Sequence, residues 1–222
     1  MFDEGMKITV FGVGALALIL SLGGQSLGPR APIETAVSTA DLPPVPLTAS
    51  ATGAPAQTRV TSRQVPLGAG FEATLLYAYA LEGRVVSRRE FRNDPTSAIS
   101  PLDLGIVYGA LAEPGRAAAI SFKAAPRVLF SRPEPGADLP ASWHDLVTNN
   151  HLIPADQAVN DALLAIAPGA RVRIRGYLVE VTGNGLHPWR SSTRRDDATI
   201  IGGCEIILVT GVEILPADSD AA

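Results

Sequence analysis

The sequence predicts an α+β fold, antiparallel and β-rich, in which a sheet or small barrel carries two to three helices and follows one transmembrane helix. Three observations support this prediction. Residues 8–22 are apolar and uncharged, residues 171–175 alternate arginine with aliphatic side chains, and residues 204–215 are rich in Ile, Leu and Val. Alternation is typical of a half-buried strand, and a short aliphatic run is typical of a fully buried one.

The composition allows one ordinary domain with additional segments. The chain has 222 residues, of which 46% are hydrophobic and 18% charged, and its formal net charge is -4. These values are those of a globular protein rather than a disordered one. A net charge this small excludes a global electrostatic attraction to nucleic acid. The single cysteine excludes an internal disulfide and the C-x-x-C spacing of metal or redox sites.

Residues 1–27 are predicted to be an N-terminal membrane anchor. No charged residue lies between Lys7 and Arg30, and as a helix this stretch can cross a hydrocarbon core of about 30 Å. A cleaved signal peptide is the alternative, because small residues after the apolar run leave cleavage open. The acidic start (Asp3, Glu4) argues against a signal peptide. We expect a single-pass anchor in the inner (cytoplasmic) membrane, with the soluble domain in the periplasm or outside.

Residues 28–58 are predicted to be a disordered linker. Pro, Ala, Ser and Thr dominate this segment, aromatic residues are absent, and neither a helical nor a strand-like hydrophobic period is present. Such a segment buries too little apolar surface to offset the entropy lost on ordering. The soluble β-rich domain is expected over residues 59–216, followed by a disordered tail at 217–222.

Turn and capping signals predict the order of elements within the domain. A helix is expected after Ser100-Pro101, which offers a capping hydroxyl and a proline at the first helical position. A second helix is expected within 138–150, and a third after Pro154, where apolar residues recur at helical spacing. Gly176 predicts a bulge or bend within its strand. The predicted strands are 60–67, 71–92 with a turn near 81–83, 118–122, 127–130, 170–183 and 204–215, with a loop at 183–201.

The loop between the last two strands is the main candidate binding site. Loops held by rigid strands are where binding residues concentrate. Aromatic residues near arginines can stack on a base or hold an anionic group. A competing interpretation is structural, in which Trp189 closes the end of the sheet and Arg195 pairs with an aspartate or with Glu205. The candidate binding residues are Trp189, Ser191, Ser192, Arg195, Asp196 and Glu205, together with His151 and with Arg173 from the arginine face of the strand at 170–183.

Two further patterns involve histidine and cysteine. His151 follows two asparagines at a predicted helix end, where it could contact a ligand or bond the last carbonyls as part of a cap. Cys204 could form a nucleophilic pair with His151 or His187. The aliphatic strand next to Cys204 argues against this pair, because free cysteine in such surroundings is usually inert. No catalytic residue, metal or cofactor is therefore predicted. The three histidines lack ligand spacing, and P-loop and Rossmann glycine patterns are absent.

The C-terminal third also resembles a group of poorly characterised bacterial envelope proteins, which are lipid-anchored or carry one N-terminal membrane helix. The resemblance rests on HLIPA at 151–155, VRIRGYLVEV at 172–181, WRSSTRRDD at 189–197 and GGCEIILV at 202–209, and it covers about residues 140–215. It implies an OB-fold-like soluble domain, to which nucleic-acid binding has been attributed by analogy. The matching positions are Trp189, Ser191, Ser192, Arg195, Asp196 and Cys204-Glu205. The chain departs from the pattern at 197–199, where a tighter glycine turn is expected.

The sequence therefore predicts a membrane-anchored envelope protein whose OB-like domain is a binding or assembly module. The expected partners are the membrane, through the N-terminal helix, and a protein or envelope polymer. The balance of acidic and basic residues outside the loop argues against nucleic acid as a partner. Two alternatives stay open, namely a hydrolase that uses Cys204 and a histidine, and a nucleic-acid-binding domain.

Overall fold

A computed structural model describes residues 32–33, 35–45, 53–194 and 204–216. These residues form ten strands, one α-helix and four short 3-10 turns. The strands are β1 (Ala56–Arg59), β2 (Gln64–Gly68), β3 (Phe71–Glu90), β4 (Leu102–Val107), β5 (Ile120–Ala125), β6 (Val128–Pro133), β7 (Val147–Pro154), β8 (Arg171–Gly183), β9 (Leu186–Arg190) and β10 (Glu205–Ile214). The helix α1 is Gln157–Leu164, and the 3-10 turns are Thr39–Asp41, Gly109–Ala112, Arg116–Ala119 and Trp143–Leu146.

Eight of the strands form one mixed sheet organised by β3, which is 20 residues long. β3 pairs antiparallel with β4 at one end and with β8 along most of its length, and β1 and β2 also pair with it. β4 continues to β7, β7 to β10, and β10 to β8, so that five strands are hydrogen-bonded in a closed cycle. β7 and β10 are parallel, and the other pairs are antiparallel.

The predicted fold class is wrong. The sheet is mixed, with three strands (β1, β2 and β9) outside the five-strand cycle, and it is not the expected antiparallel OB-like barrel or sheet. The described part of the chain contains one α-helix instead of two or three. The parallel pair is possible because α1, β8 and β9 together provide the long connection between β7 and β10 that parallel strands require.

The first predicted helix is replaced by a strand. Residues 101–111 form β4 and a 3-10 turn, although Ser100-Pro101 offers a helix start. All six residues of β4 are buried, which is typical of a central strand covered on both faces. Burial between β3 and β7 therefore outweighs the local capping signal.

The second predicted helix, within 138–150, is also absent. This segment contains only the 3-10 turn Trp143–Leu146, after which β7 begins. Val147 and Thr148 are β-branched and fit a pleated, half-buried strand better than a helix. The third predicted helix is present as α1. Its N-cap is Asp156, whose carboxylate accepts a hydrogen bond of 2.8 Å from the Val159 N–H.

Residues 35–45, which the sequence places in a linker, lie against the folded sheet. The Val37 N–H donates to the Ala155 carbonyl at 2.8 Å, and the Val37 side chain is buried. The Tyr177 hydroxyl donates to the carbonyl of Pro43. A few apolar contacts and backbone hydrogen bonds thus order a stretch whose composition resembles that of a tether.

The predicted transmembrane helix lies at 8–27, outside the described residues. In the part of the chain that the structure describes, no helix has the length and apolar character needed to cross a membrane.

Gly176 lies at a close approach of two strands. A Cβ at this position would collide with the backbone carbonyl of Leu208 on β10. The register between β8 and β10 shifts next to this point, between Val209 and Gly211. The irregularity expected at Gly176 is therefore present, and it allows the two backbones to approach closely.

The β5–β6 hairpin is a separate two-stranded sheet whose inner face packs on the main sheet. Phe122 and Leu129 on that face belong to a hydrophobic cluster with Val107 and Leu111. The Arg89 guanidinium donates to the Ala124 carbonyl at 3.2 Å. These contacts place the turn of the hairpin, residues 126–127, beside the start of β4.

Candidate functional site

Strand register brings three chemically active side chains to one face of the sheet. Asp103 on β4 is directly opposite His151 on β7. On the other side of β7, Ile206 of β10 is opposite His151 in the parallel pair. Cys204 precedes Ile206 by two residues, so its side chain points to the same face. The face therefore holds a carboxylate, an imidazole and a thiol on three neighbouring segments.

The His151 imidazole is in close contact with Asp103. Its Nδ1 lies 3.0 Å from Oδ1 of the carboxylate, and both side chains are buried. The alignment at Nδ1 is not ideal, so the contact combines a bent hydrogen bond with charge attraction. A buried carboxylate requires such compensation, since an isolated charge is strongly disfavoured away from water.

The surroundings of His151 favour its protonated form. Burial lowers the pKa of the imidazole, but its interactions with Asp103 and with the Cys204 thiol outweigh burial and raise the pKa from 6.5 to about 9. The ring is therefore a cation at neutral pH, held between a carboxylate and a sulfur atom.

Cys204 is half-buried and lies at the start of β10. The side-chain amide of Asn149 donates toward its Sγ at 3.5 Å. The Ser192 N–H donates to the Cys204 carbonyl at 2.9 Å, and Ser191 Oγ accepts from the Ile206 N–H at 3.0 Å. Two residues predicted to bind a ligand, Ser191 and Ser192, thus hold the backbone at Cys204 and at Ile206.

Arg127, from the turn of the hairpin, supplies a positive charge to the two nearby carboxylates. One guanidinium nitrogen lies 2.6 Å from Asp103 Oδ1 and the other lies 2.9 Å from Asp94. The pKa of Asp94 is lowered, because the bonds from Arg127 outweigh the opposing effect of burial. Arg127 has a φ of 58°, a left-handed conformation that is costly for arginine. We attribute its persistence to these two ion pairs and to the Phe91 ring, 3.8 Å from the guanidinium carbon.

Trp189 on β9 covers this cluster from the side. Its ring centroid is 5.0 Å from that of His151, and the Arg127 guanidinium lies 5.8 Å from the ring. The indole face therefore adds a cation–π contact to the Arg127 guanidinium. Trp189 is partly exposed, so part of this side chain borders solvent beside His151.

The other predicted site residues lie elsewhere or outside the described residues. Glu205 points to the opposite face from Cys204, where it is buried and accepts a bond from the Thr148 hydroxyl. Arg173 lies on β8 and contacts Glu82 and Glu213, each at 2.7 Å. Glu213 is near the far end of β10, so this arginine is not part of the thiol cluster. Arg195 and Asp196 are outside the described residues.

Sequence reasoning missed Asp103 and Arg127 as members of the site, whereas Asn149 belongs to the asparagine pair next to His151 in the segment that the sequence offered as a possible ligand contact. Asp103 carried a usable signal, because it is a carboxylate between Leu102 and Leu104 in a segment that is apolar on both sides. A charge in such a segment needs a partner when the segment is buried. Arg127 carried no comparable signal, since its role depends on contacts between segments that are far apart in the sequence.

Comparison with known protein families, with curated proteins and with solved structures finds no match to this chain.

Proposed function

We propose that this protein is a cysteine-dependent acyl hydrolase or acyltransferase. In this proposal Cys204 is the nucleophile, His151 carries the proton and Asp103 orients and stabilises the imidazolium. The observation that supports it is the placement of one buried imidazole in interaction with both a carboxylate and a half-buried thiol. This is the nucleophile, base and orienting group of triad chemistry, recognised by geometry and not by sequence order.

The proposed reaction proceeds in two steps. The Cys204 thiolate adds to the carbonyl carbon of an ester, thioester or amide. The bond to the leaving group then breaks, the leaving group takes the proton from His151, and a thioester on Cys204 remains. Water adds to that thioester while the neutral His151 takes its proton, which releases the acid and restores the thiolate and imidazolium.

Two neighbours suit this chemistry. The Asn149 amide lies beside the sulfur, where a donor can stabilise the oxyanion formed when sulfur adds to a carbonyl. The exposed part of Trp189 offers an apolar surface next to His151 for part of an acyl substrate. The protein or envelope polymer expected from the sequence would then be the acyl donor or acceptor, at the membrane to which residues 1–27 are proposed to tether the chain.

The test combines thiol labelling with capture of an acyl group. Native full-length protein in detergent is treated at pH 7 with iodoacetamide, and in parallel with p-nitrophenyl acetate, and adducts are located by peptide mass spectrometry. We expect rapid labelling and an acetyl adduct at Cys204, and a loss of roughly 100-fold in the acetylation rate of His151→Gln.

His187→Gln is the matched control. His187 is exposed on β9, and its replacement should leave both rates unchanged. A Cys204 thiol that reacts only after denaturation, or that reacts equally fast in both histidine variants, contradicts the proposal.

A further inference from the structure

The outer face of the β5–β6 hairpin exposes apolar side chains on an otherwise well-packed domain. Phe130 is 57% exposed and Val128 is 41% exposed, and both are among the largest exposed hydrophobic residues of the described chain. They are two residues apart on β6, so their side chains point to the same face. On β5, Lys123 pairs with Phe130 and Ala125 pairs with Val128, and these residues share that face.

This face is also positively charged. Residues 120–133 contain Lys123, Arg127 and Arg132 and no acidic residue. Arg127 turns inward to Asp103 and Asp94, whereas Lys123 and Arg132 are exposed. Across the described residues neither of these two cations forms an ion pair. Phe130 is therefore flanked on this face by two exposed cations, with the exposed Glu134 directly beyond the end of β6.

The hairpin presents this face rigidly. Its inner side packs through Phe122 and Leu129, and its turn is held by the ion pairs of Arg127. A flexible loop could rearrange and bury an exposed aromatic side chain. This hairpin cannot do so, because its inner face is packed and its turn is fixed by ion pairs. The exposed Phe130 is thus a fixed feature of the surface.

We propose that the outer face of the β5–β6 hairpin docks on an anionic lipid bilayer, with Phe130 and Val128 entering the interface and Lys123 and Arg132 contacting lipid headgroups. Two apolar side chains are too few for a stable protein interface, which needs about 800 Å² on each partner. They are sufficient for interfacial insertion when cations add to the attraction, at about 1 kcal/mol for each Lys or Arg near an anionic surface. This inference is independent of the chemistry proposed for Cys204.

The test uses the full chain reconstituted into vesicles, so that any N-terminal anchor is present in every sample. Phe130→Trp is compared with Glu72→Trp, which places the indole at an exposed position on β3. Quenching by brominated acyl chains is measured in phosphatidylglycerol and in phosphatidylcholine vesicles, after subtraction of the signal from the two native tryptophans. We expect several-fold more quenching for Phe130→Trp than for Glu72→Trp in phosphatidylglycerol alone, and a loss of the excess when Lys123→Glu and Arg132→Glu are added.

Three outcomes would overturn the inference. Equal quenching at the two tryptophan positions would mean that the hairpin does not reach the bilayer. Equal quenching of Phe130→Trp in the two lipids would remove the role of the cations. A blue shift of Phe130→Trp emission that rises with protein concentration in neutral detergent would assign the face to a second copy of the chain.

Discussion

His151 and Asp103 face each other across β4 and β7, with Nδ1 of the imidazole 3.0 Å from Oδ1 of the carboxylate. The same carboxylate oxygen lies 2.6 Å from a guanidinium nitrogen of Arg127. One buried carboxylate oxygen thus contacts both the imidazole and the guanidinium. The protonation of His151 therefore depends on how strongly Arg127 also binds this carboxylate. A change at any of the three residues alters the electrostatic environment of the other two.

Replacing Asp103 by Asn should lower the reactivity of Cys204 while leaving the size of the side chain unchanged. Without the carboxylate charge the pKa of His151 falls toward its ordinary value, and less imidazolium is present beside the sulfur at pH 7. We expect the rate of iodoacetamide labelling at pH 7 to fall roughly tenfold. Asp94→Asn is the matched control, because Asp94 pairs with Arg127 and not with His151. Equal effects of the two variants would show that Asp103 acts only through Arg127.

The stability of the domain should depend on pH through His151. The pKa of His151 is raised from 6.5 to about 9, so the folded state holds the proton more tightly than the unfolded state. Its contribution is therefore fully present below pH 6.5 and is lost as the pH rises through about 9. The free energy of unfolding, measured by urea titration, should fall by up to about 3 kcal/mol over this interval. His151→Gln should remove this dependence, and an unchanged slope in that variant would contradict the assignment.

Loss of the Arg127 side chain should destabilise the protein far more than loss of a surface arginine. Arg127→Ala leaves Asp103 and Asp94 without their shared cation in a partly buried setting, which costs about 3 kcal/mol. Arg116→Ala removes an exposed pair with Glu113 and should cost less than about 1 kcal/mol. Chemical denaturation of both variants measures the difference. Comparable losses would mean that the hairpin turn contributes little to the fold.

Gly176→Ala should be strongly destabilising even though it adds a single methyl group. The new Cβ would collide with the Leu208 carbonyl, a backbone atom that cannot move without disturbing β10, so we expect a loss of about 3 kcal/mol. Gly211→Ala is the control on the paired strand, because its Cβ would meet only Arg175 Nε at 3.8 Å. A similar melting temperature for the two variants would show that β8 and β10 separate more easily than their register implies.

The membrane anchor predicted at residues 1–27 is tested by fractionation. Full-length protein expressed in a bacterial host should stay with membranes after extraction at alkaline pH, because an uncharged helix of this length partitions into lipid. A variant lacking residues 1–31 should be released from membranes by the same alkaline extraction, since peripheral contacts do not survive it. Release of the full-length protein by alkaline extraction would contradict the prediction.

Local sequence pattern correctly predicts those elements whose hydrophobic periodicity agrees with their burial in the fold. β8 alternates arginine and aliphatic residues, β10 is a continuous aliphatic run, and α1 has a capping aspartate and helical spacing. β4 and β7 were assigned as helices because Ser100-Pro101 and the spacing of Trp143 and Leu146 are genuine local signals. These segments form strands because they are buried between neighbouring strands. A short window of sequence does not contain this information.

The site could be predicted only in fragments. The sequence allows Cys204 to pair with His151 or His187, but the aliphatic character of β10 suggests an inert cysteine. The cysteine lies just before that strand, where it is half-buried beside Asn149. The position of Asp103 follows from the β4–β7 register, which joins residues 48 apart in sequence, as the pair Asp103↔His151 shows. The predicted serines were found near the thiol because they belong to the segment that follows β9.

The place of β10 in the sheet has a consequence for biosynthesis. β10 lies between β7 and β8, both of which precede it in the chain, so a ribosome completes its two neighbours before β10 emerges. Until then β7 and β8 each present an open edge, which a chaperone can cover and a protease can attack. The imidazole is made before the thiol, and the two meet only when the final gap in the sheet is filled. A nascent chain that stalls short of Cys204 therefore carries no thiol, and the proposed chemistry can begin only after the sheet is complete.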